Sequence, residues 1–185
     1  MMEEIPEWVK AAQAKWKYRG LRRPSFAIEP QSGQESVWDY PRPPRIVRDQ
    51  RHVIVRANGR IIADSQSTYR VLETASPPTF YIPPSDVGNS VLLPRAKSSL
   101  CEWKGRAQYW SMKMDGLVLE DVAWSYMNPF PGFEVIAGYI AFYPNRVDCY
   151  VNEELAQPQP GGLYGGWVTQ DIVGPYKGEP GTGSW

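Results

Sequence analysis

Two turn signals, Asn58-Gly59 and Asp115-Gly116, constrain the fold of this chain more than any other feature. Each dipeptide lies beside runs of β-branched and other apolar residues, such as residues 53–55 and 117–119. Both central residues of a two-residue hairpin turn need a positive φ, so Asn-Gly and Asp-Gly in this setting predict β-hairpins. The 18 Pro and 16 Gly among 185 residues also favour short strands joined by many turns. The sequence therefore predicts an all-β fold.

Charge and apolar content limit the class of protein to which the chain can belong. The 20 basic and 20 acidic residues cancel, which argues against a protein built to hold polyanions, so we expect no nucleic-acid partner. Hydrophobic residues make up 42% of the sequence, which is enough for a sizeable core. No apolar run is long enough to span a bilayer, and the first residues lack the pattern of a signal peptide. We therefore expect a cytoplasmic protein without membrane association.

Composition divides the chain into three segments. Residues 1–45 combine a short amphipathic helix, predicted within residues 5–18 and ended by Gly20, with a proline-rich strap of ordered coil. Residues 15–23 form a basic cluster around Trp16, which we interpret as a solvated arm. Residues 46–152 carry the predicted strands. Residues 153–185 are rich in Gly and Pro and cannot build a core alone, so we expect this C-terminal arm to dock on the domain or on another subunit.

One stretch, residues 98–110, concentrates side chains with chemical potential. It places Cys101, Lys104 and three aromatic residues within ten positions. Read as strand, turn and strand with the bend at Lys104-Gly105, the stretch directs Cys101 and Lys104 toward one pocket. In this interpretation Tyr109 and Trp110 contribute to the wall of the pocket and to the hydrophobic core of the protein. The stretch is therefore the best candidate for a functional site.

Five motifs occur in fixed order through the middle of the chain. They are Arg70-Val71-Leu72-Glu73-Thr74, Pro78 with Tyr81-Ile82-Pro83, Cys101-x-Trp-Lys104-Gly105-x-Ala107-x-Tyr109-Trp110, Ala123-Trp124-x-Tyr126 and Gly138-Tyr139-x-Ala141-Phe142-Tyr143-Pro144. Their order and spacing resemble the DUF427 family over residues 53–150. The flanking segments resemble those of longer, chiefly cyanobacterial members.

The resemblance implies a fold of the β-tent kind. Two antiparallel sheets lean together over a cleft, as in methionine sulfoxide reductase B and the ligand-binding domain of cereblon, here with extended N- and C-terminal arms. The family has no established activity. Relatives with this fold commonly bind zinc through two Cys-x-x-Cys pairs, which are missing here, so we expect no metal and no other cofactor. The family is sometimes labelled a nucleotidyltransferase. That chemistry usually needs a Gly-Ser pair and an Asp-x-Asp motif to hold metal ions, and no Asp-x-Asp motif occurs in this sequence.

The first functional hypothesis is a binding module with an aromatic cleft. In this hypothesis Lys104 and Glu73 fix a small polar or cationic ligand between aromatic rings. It requires Lys104 to lie near both Glu73 and Trp124. The candidate binding residues are Glu73, Tyr81, Trp103, Lys104, Tyr109, Trp124 and Tyr143.

Two further hypotheses stay open. In the second, the protein is a small-molecule enzyme in which Cys101 is the nucleophile, Lys104 favours its thiolate, and Glu73 or Tyr109 carries the proton. In the third, the aromatic arms close a homodimer or bind a partner protein. Cysteines and aromatic rings in β-sheets are commonly plain core residues, and the first two hypotheses compete with that interpretation.

Overall fold

The computed structural model describes residues 5–88 and 92–185, and short β-strands dominate it. Strands account for 42% of the chain and helices for 10%, which confirms the all-β prediction. The elements are α1 (Glu7–Ala14), β1 (Glu35–Ser36), β2 (Arg45–Asp49), β3 (Val53–Ala57), β4 (Arg60–Ser65), β5 (Thr68–Leu72), β6 (Thr79–Tyr81), β7 (Leu92–Cys101), β8 (Gly105–Met114), β9 (Leu117–Ser125), β10 (Ala141–Phe142), β11 (Asp148–Val151), β12 (Glu154–Leu155), β13 (Gln157–Pro158), β14 (Trp167–Val168) and β15 (Ile172–Val173). Short 3₁₀ helices span Val37–Asp39, Pro84–Asp86 and Glu134–Ile136.

Both turn signals form the predicted hairpins. The Asn58-Gly59 turn joins β3 to β4, and the Asp115-Gly116 turn joins β8 to β9. All four turn residues have a positive φ, between 48° and 77°, as the two-residue turn requires. A strand returning through Val91 is also expected from the sequence, but Val91 lies outside the described residues and β7 begins at Leu92.

Three antiparallel sheets form the body of the protein. Their strand orders are β10-β9-β8-β7, β12-β11-β3-β4 and β2-β5-β6. Two smaller ladders, parallel β1-β15 and antiparallel β13-β14, pair strands of the terminal arms. The specific β-tent arrangement of these sheets stays a prediction.

The main core joins the β3-β4-β11 strands to β8, β9 and β10. Its fully buried side chains include Val53 and Val55 from β3, Met112 from β8 and Phe142 from β10. Burying each large apolar side chain contributes about 1.5–3 kcal/mol, so this cluster is a major source of stability. Cys149 also lies here, and burial raises the pKa of its thiol well above the ordinary value. A buried thiol of this kind is chemically inert.

The two terminal arms pack on the domain and on each other. A cluster of aromatic rings joins them, and the ring of Phe26 stacks on that of Trp185 at 5.0 Å between centroids. Both rings contact Trp38, which is fully buried beside Leu72 of β5. Since the domain supplies the apolar surface that the arms lack, the C-terminal arm docks within the same chain.

The N-terminal segment differs in detail from its prediction. Helix α1 ends at Ala14, well before Gly20, and the strap contains β1 instead of coil alone. Gly20 has a φ of 73°, and a Cβ there would lie 2.2 Å from the main-chain oxygen of Tyr40. Glycine is therefore needed at this position for a close passage of two chain segments and not to cap the helix.

Candidate functional site

A cavity of about 360 Å³ lies where the β7-β8 connection meets β5, β6, β9 and both terminal arms. Seven of the eight predicted site residues line it. They are Glu73, Tyr81, Cys101, Lys104, Tyr109, Trp124 and Tyr143. The eighth, Trp103, is 4% exposed and packs in the apolar cluster beside the cavity without lining it. Its indole nitrogen is buried without a hydrogen-bond partner among the described residues.

The connection between β7 and β8 sets the positions of Cys101 and Lys104. Cys101 ends β7 opposite Gly105, which begins β8, so the three intervening residues form a tight bend. Gly105 has a φ of 94°, a conformation that side-chain-bearing residues rarely adopt. The main-chain NH of Phe130 donates to the Lys104 carbonyl at 3.1 Å and holds the bend against the domain. Cys101 and Lys104 consequently share one wall of the cavity.

A buried arginine organises the carboxylate of Glu73. The Arg42 side chain is fully buried, and its Nε donates to Glu73 Oε1 at 3.0 Å. Its other nitrogens donate to the main-chain oxygens of Tyr18, Thr74 and Trp185 at 2.9–3.1 Å. Arg42 therefore neutralises Glu73 and joins three chain segments behind the cavity.

Lys104 places a buried ammonium group on the cavity wall. Its Nζ lies 4.0 Å from Glu73 Oε2, and its side chain also interacts with Cys101. Burial opposes its charge, but the electrostatic interactions with Cys101, Tyr81 and Glu73 and a hydrogen bond to Cys101 outweigh burial and raise the pKa of the ammonium above its ordinary value. Lys104 is therefore charged at neutral pH.

A second buried lysine comes from the C-terminal arm. Lys177 Nζ donates to the main-chain oxygen of Trp185 at 3.2 Å and lies 3.7 Å from the ring centroid of Trp16. Burial and the nearby Arg42 guanidinium lower the pKa of Lys177 to about 8, against the opposing effect of the two glutamates, Glu73 and Glu102. Lys177 thus loses its proton within a pH range that experiments can reach.

Aromatic rings complete the wall. Trp124 donates from its indole nitrogen to the Tyr81 hydroxyl at 3.3 Å and packs at 4.4 Å from the Tyr143 ring. Burial raises the pKa of Tyr81 to about 12 and also raises those of Tyr126 and Tyr143. These hydroxyls are therefore neutral at pH 7 and can serve as hydrogen-bond donors or acceptors.

Several cavity residues lie outside the sequence-based prediction. They are chiefly Trp16, Glu102, Tyr126, Gln159, Tyr164 and Lys177. Trp16 belongs to the segment interpreted as a solvated arm, yet its indole nitrogen donates to Glu102 Oε1 at 2.8 Å. One signal was available for Lys177, because Tyr176-Lys177-Gly178 repeats the pattern of Trp103-Lys104-Gly105. A repeat of three residues is too short to have identified the site.

Three other features of the described residues bear on function. No group of three or more His, Cys, Asp or Glu side chains in residues 5–88 and 92–185 is placed to hold a metal ion. Within the same ranges, no helix has the length and apolar character needed to cross a membrane. Cys101 and Cys149 are both free thiols.

Comparison with known proteins identifies a family. No curated protein matches this chain. The model of a domain of unknown function, DUF427, matches residues 45–153, which is more than half of the chain. The matched region contains β7, β8 and β9, and it includes the cavity residues Glu73, Lys104 and Trp124. The chain belongs to the DUF427 family.

Proposed function

We propose that the cavity binds a small polar ligand, held by Lys104 and Glu73 and enclosed by aromatic rings. The observation that supports this most is Lys104, a residue that is 9% exposed and whose ammonium lies 4.0 Å from the Glu73 carboxylate on the wall of a cavity lined by several aromatic rings. A volume of about 360 Å³ is at the small end of the range typical of ligand pockets. The size suits a metabolite with one or two rings.

Energetic cost supports the same proposal. Burying a charged group is unfavourable unless the group is paired. A wall with a purely structural role has no need of a buried charge. Lys104 shares the carboxylate of Glu73 with the closer Arg42, so its pairing with that carboxylate is incomplete. A buried charge with an incomplete set of partners, facing a cavity, is a common property of binding and active sites.

Ligand screening against matched variants tests the proposal. Polar metabolites are screened by thermal shift on the full chain, and each hit is titrated against Lys104→Met, Trp124→Phe and Lys113→Met. Lys113 is exposed on β8 and serves as the control for loss of one positive charge. We expect the first two changes to weaken binding and the third to have no effect. Equal affinity in all variants would show that the ligand binds elsewhere.

Cys101 favours a second candidate function, a thiol enzyme. Cys101 is only partly buried, lines the cavity and interacts with both the Lys104 ammonium and the Tyr126 hydroxyl. In such an enzyme the sulfur bonds to an electrophilic carbonyl carbon, the thiol proton passes to Glu73 or Tyr109, and the resulting oxyanion lies beside Lys104. The rate of alkylation by iodoacetamide tests this, because an activated thiol reacts faster than free cysteine.

Location and assembly complete the proposal. Two unpaired cysteines support a cytoplasmic location, where thiols remain reduced. A homodimer and the chiefly cyanobacterial character of the flanking segments stay predictions. Molecular mass in solution, measured by light scattering, tests the homodimer.

A further inference from the structure

We infer that the ligand carries an anionic oxygen group, a carboxylate or a phosphate, that binds between Lys104 and Lys177. Its apolar part then contacts the aromatic wall formed by residues such as Trp124 and Tyr81. This inference rests on the proposed function, because it specifies the chemical class of the ligand for the same cavity.

The charges around the cavity leave an excess of positive charge. Among the side chains, Lys104 and Lys177 line the cavity together with Glu73 and Glu102, and Arg42, which lies behind the cavity, adds a third cation. Glu73 is paired with Arg42 at 3.0 Å, and Glu102 accepts a hydrogen bond from an indole nitrogen. The two lysines are consequently the charges with the weakest pairing in this part of the structure.

Both lysines keep donors that their contacts within the chain do not use. Lys104 is 9% exposed and Lys177 is 4% exposed, and both line the cavity. An ammonium group carries three donors, but Lys177 makes one hydrogen bond, to the main-chain oxygen of Trp185. The Lys104 ammonium lies 4.0 Å from Glu73, beyond hydrogen-bond distance, and its hydrogen bond to Cys101 uses only one of its three donors. Oxygen atoms of an anion could accept the remaining donors, and such charge-assisted bonds are about twice as strong as neutral ones.

A cationic ligand finds less support in this arrangement. The expectation of a cation comes from aromatic faces and from Glu73, but Arg42 already pairs with Glu73. The Trp16 ring is likewise covered, with Lys177 Nζ at 3.7 Å and the Arg42 guanidinium carbon at 4.1 Å from its centroid. A cationic ligand beside this ring would be repelled by the two buried positive charges of Lys177 and Arg42.

Four probes that share one phenyl ring and differ in charge test the inference. They are phenylacetate, phenyl phosphate, 2-phenylethanol and 2-phenylethylamine, titrated at pH 7 into the full chain with ligand-observed NMR. We expect both anions to bind more tightly than the alcohol, and the amine to bind most weakly. Lys104→Met and Lys177→Met should each weaken anion binding by about tenfold or more, whereas Lys113→Met should leave it unchanged.

The outcomes separate the two proposals. Binding of the alcohol or the amine as tightly as the anions would overturn the anionic class and leave the proposed function in place. Binding of none of the four to the unaltered chain would overturn both. If a lysine variant fails to fold, the comparison of the four probes on the unaltered chain still decides the question.

Discussion

Replacing Arg42 by methionine should destabilise the protein strongly, because Arg42 is the buried partner of Glu73. Removing one member of a buried ion pair costs about 3–5 kcal/mol, mainly because the other charge is left without a partner. The Glu73 side chain keeps 21% of its surface exposed, so water partly solvates its carboxylate. We therefore expect the lower part of that range, about 3–4 kcal/mol.

Thermal unfolding measures the effect. For a chain of this size, 1 kcal/mol corresponds to about 2–4 °C in the melting temperature, so Arg42→Met should lower it by about 6–16 °C. Arg45→Met is the matched control, because Arg45 lies on β2 with its side chain exposed. The control should change the melting temperature by no more than about 2 °C.

A double variant identifies the physical cause. Adding Glu73→Gln to Arg42→Met removes the charge that has lost its closer partner, so it should recover part of the lost stability, although Lys104 then loses the carboxylate that lies 4.0 Å away. Recovery should be incomplete, because three main-chain oxygens still lack the donors that Arg42 supplies. A melting temperature of Arg42→Met equal to that of Arg45→Met would refute the reasoning, as would a double variant less stable than Arg42→Met.

Three further predictions concern the cavity. Gly165→Ala should lower the free energy of unfolding by about 1–3 kcal/mol, because the added Cβ would lie 2.2 Å from the Trp124 ring. Gly183→Ala should not lower the free energy of unfolding, because a Cβ there meets no atom within 4 Å. Equal melting temperatures of the two variants would contradict the packing argument. Because the pKa of Lys177 is about 8, its charge is lost as the pH rises through that value, so phenylacetate affinity should fall between pH 7 and 9. A constant affinity would contradict the role of Lys177. Iodoacetamide should modify Cys101 faster than free cysteine, and an equal or slower rate, followed by mass spectrometry, would exclude the thiol enzyme.

Local chemistry determined the strand and hairpin content of this protein. The Asn58-Gly59 and Asp115-Gly116 turns follow from backbone sterics within two residues, so no distant contact was needed to predict them. The position of Cys101 beside Lys104 follows from the same kind of local argument, since one tight bend joins β7 to β8. Trp103, in the same bend, packs beside the cavity instead of lining it. The sequence could not predict this, because local spacing does not decide to which side of the bend a ring points.

Tertiary structure alone decided which other side chains complete the cavity and what charge it has. Trp16 and Glu102 are 86 residues apart in sequence and are joined by a hydrogen bond of 2.8 Å. Lys177 and Arg42 come from opposite arms and meet across the Trp16 ring. Such contacts have no periodicity in the sequence, because they arise only when both arms gain apolar burial on the same surface of the domain. The sequence by itself therefore determined an all-β scaffold with a Cys-Lys bend, and the packing of the arms determined its second lysine and its excess positive charge.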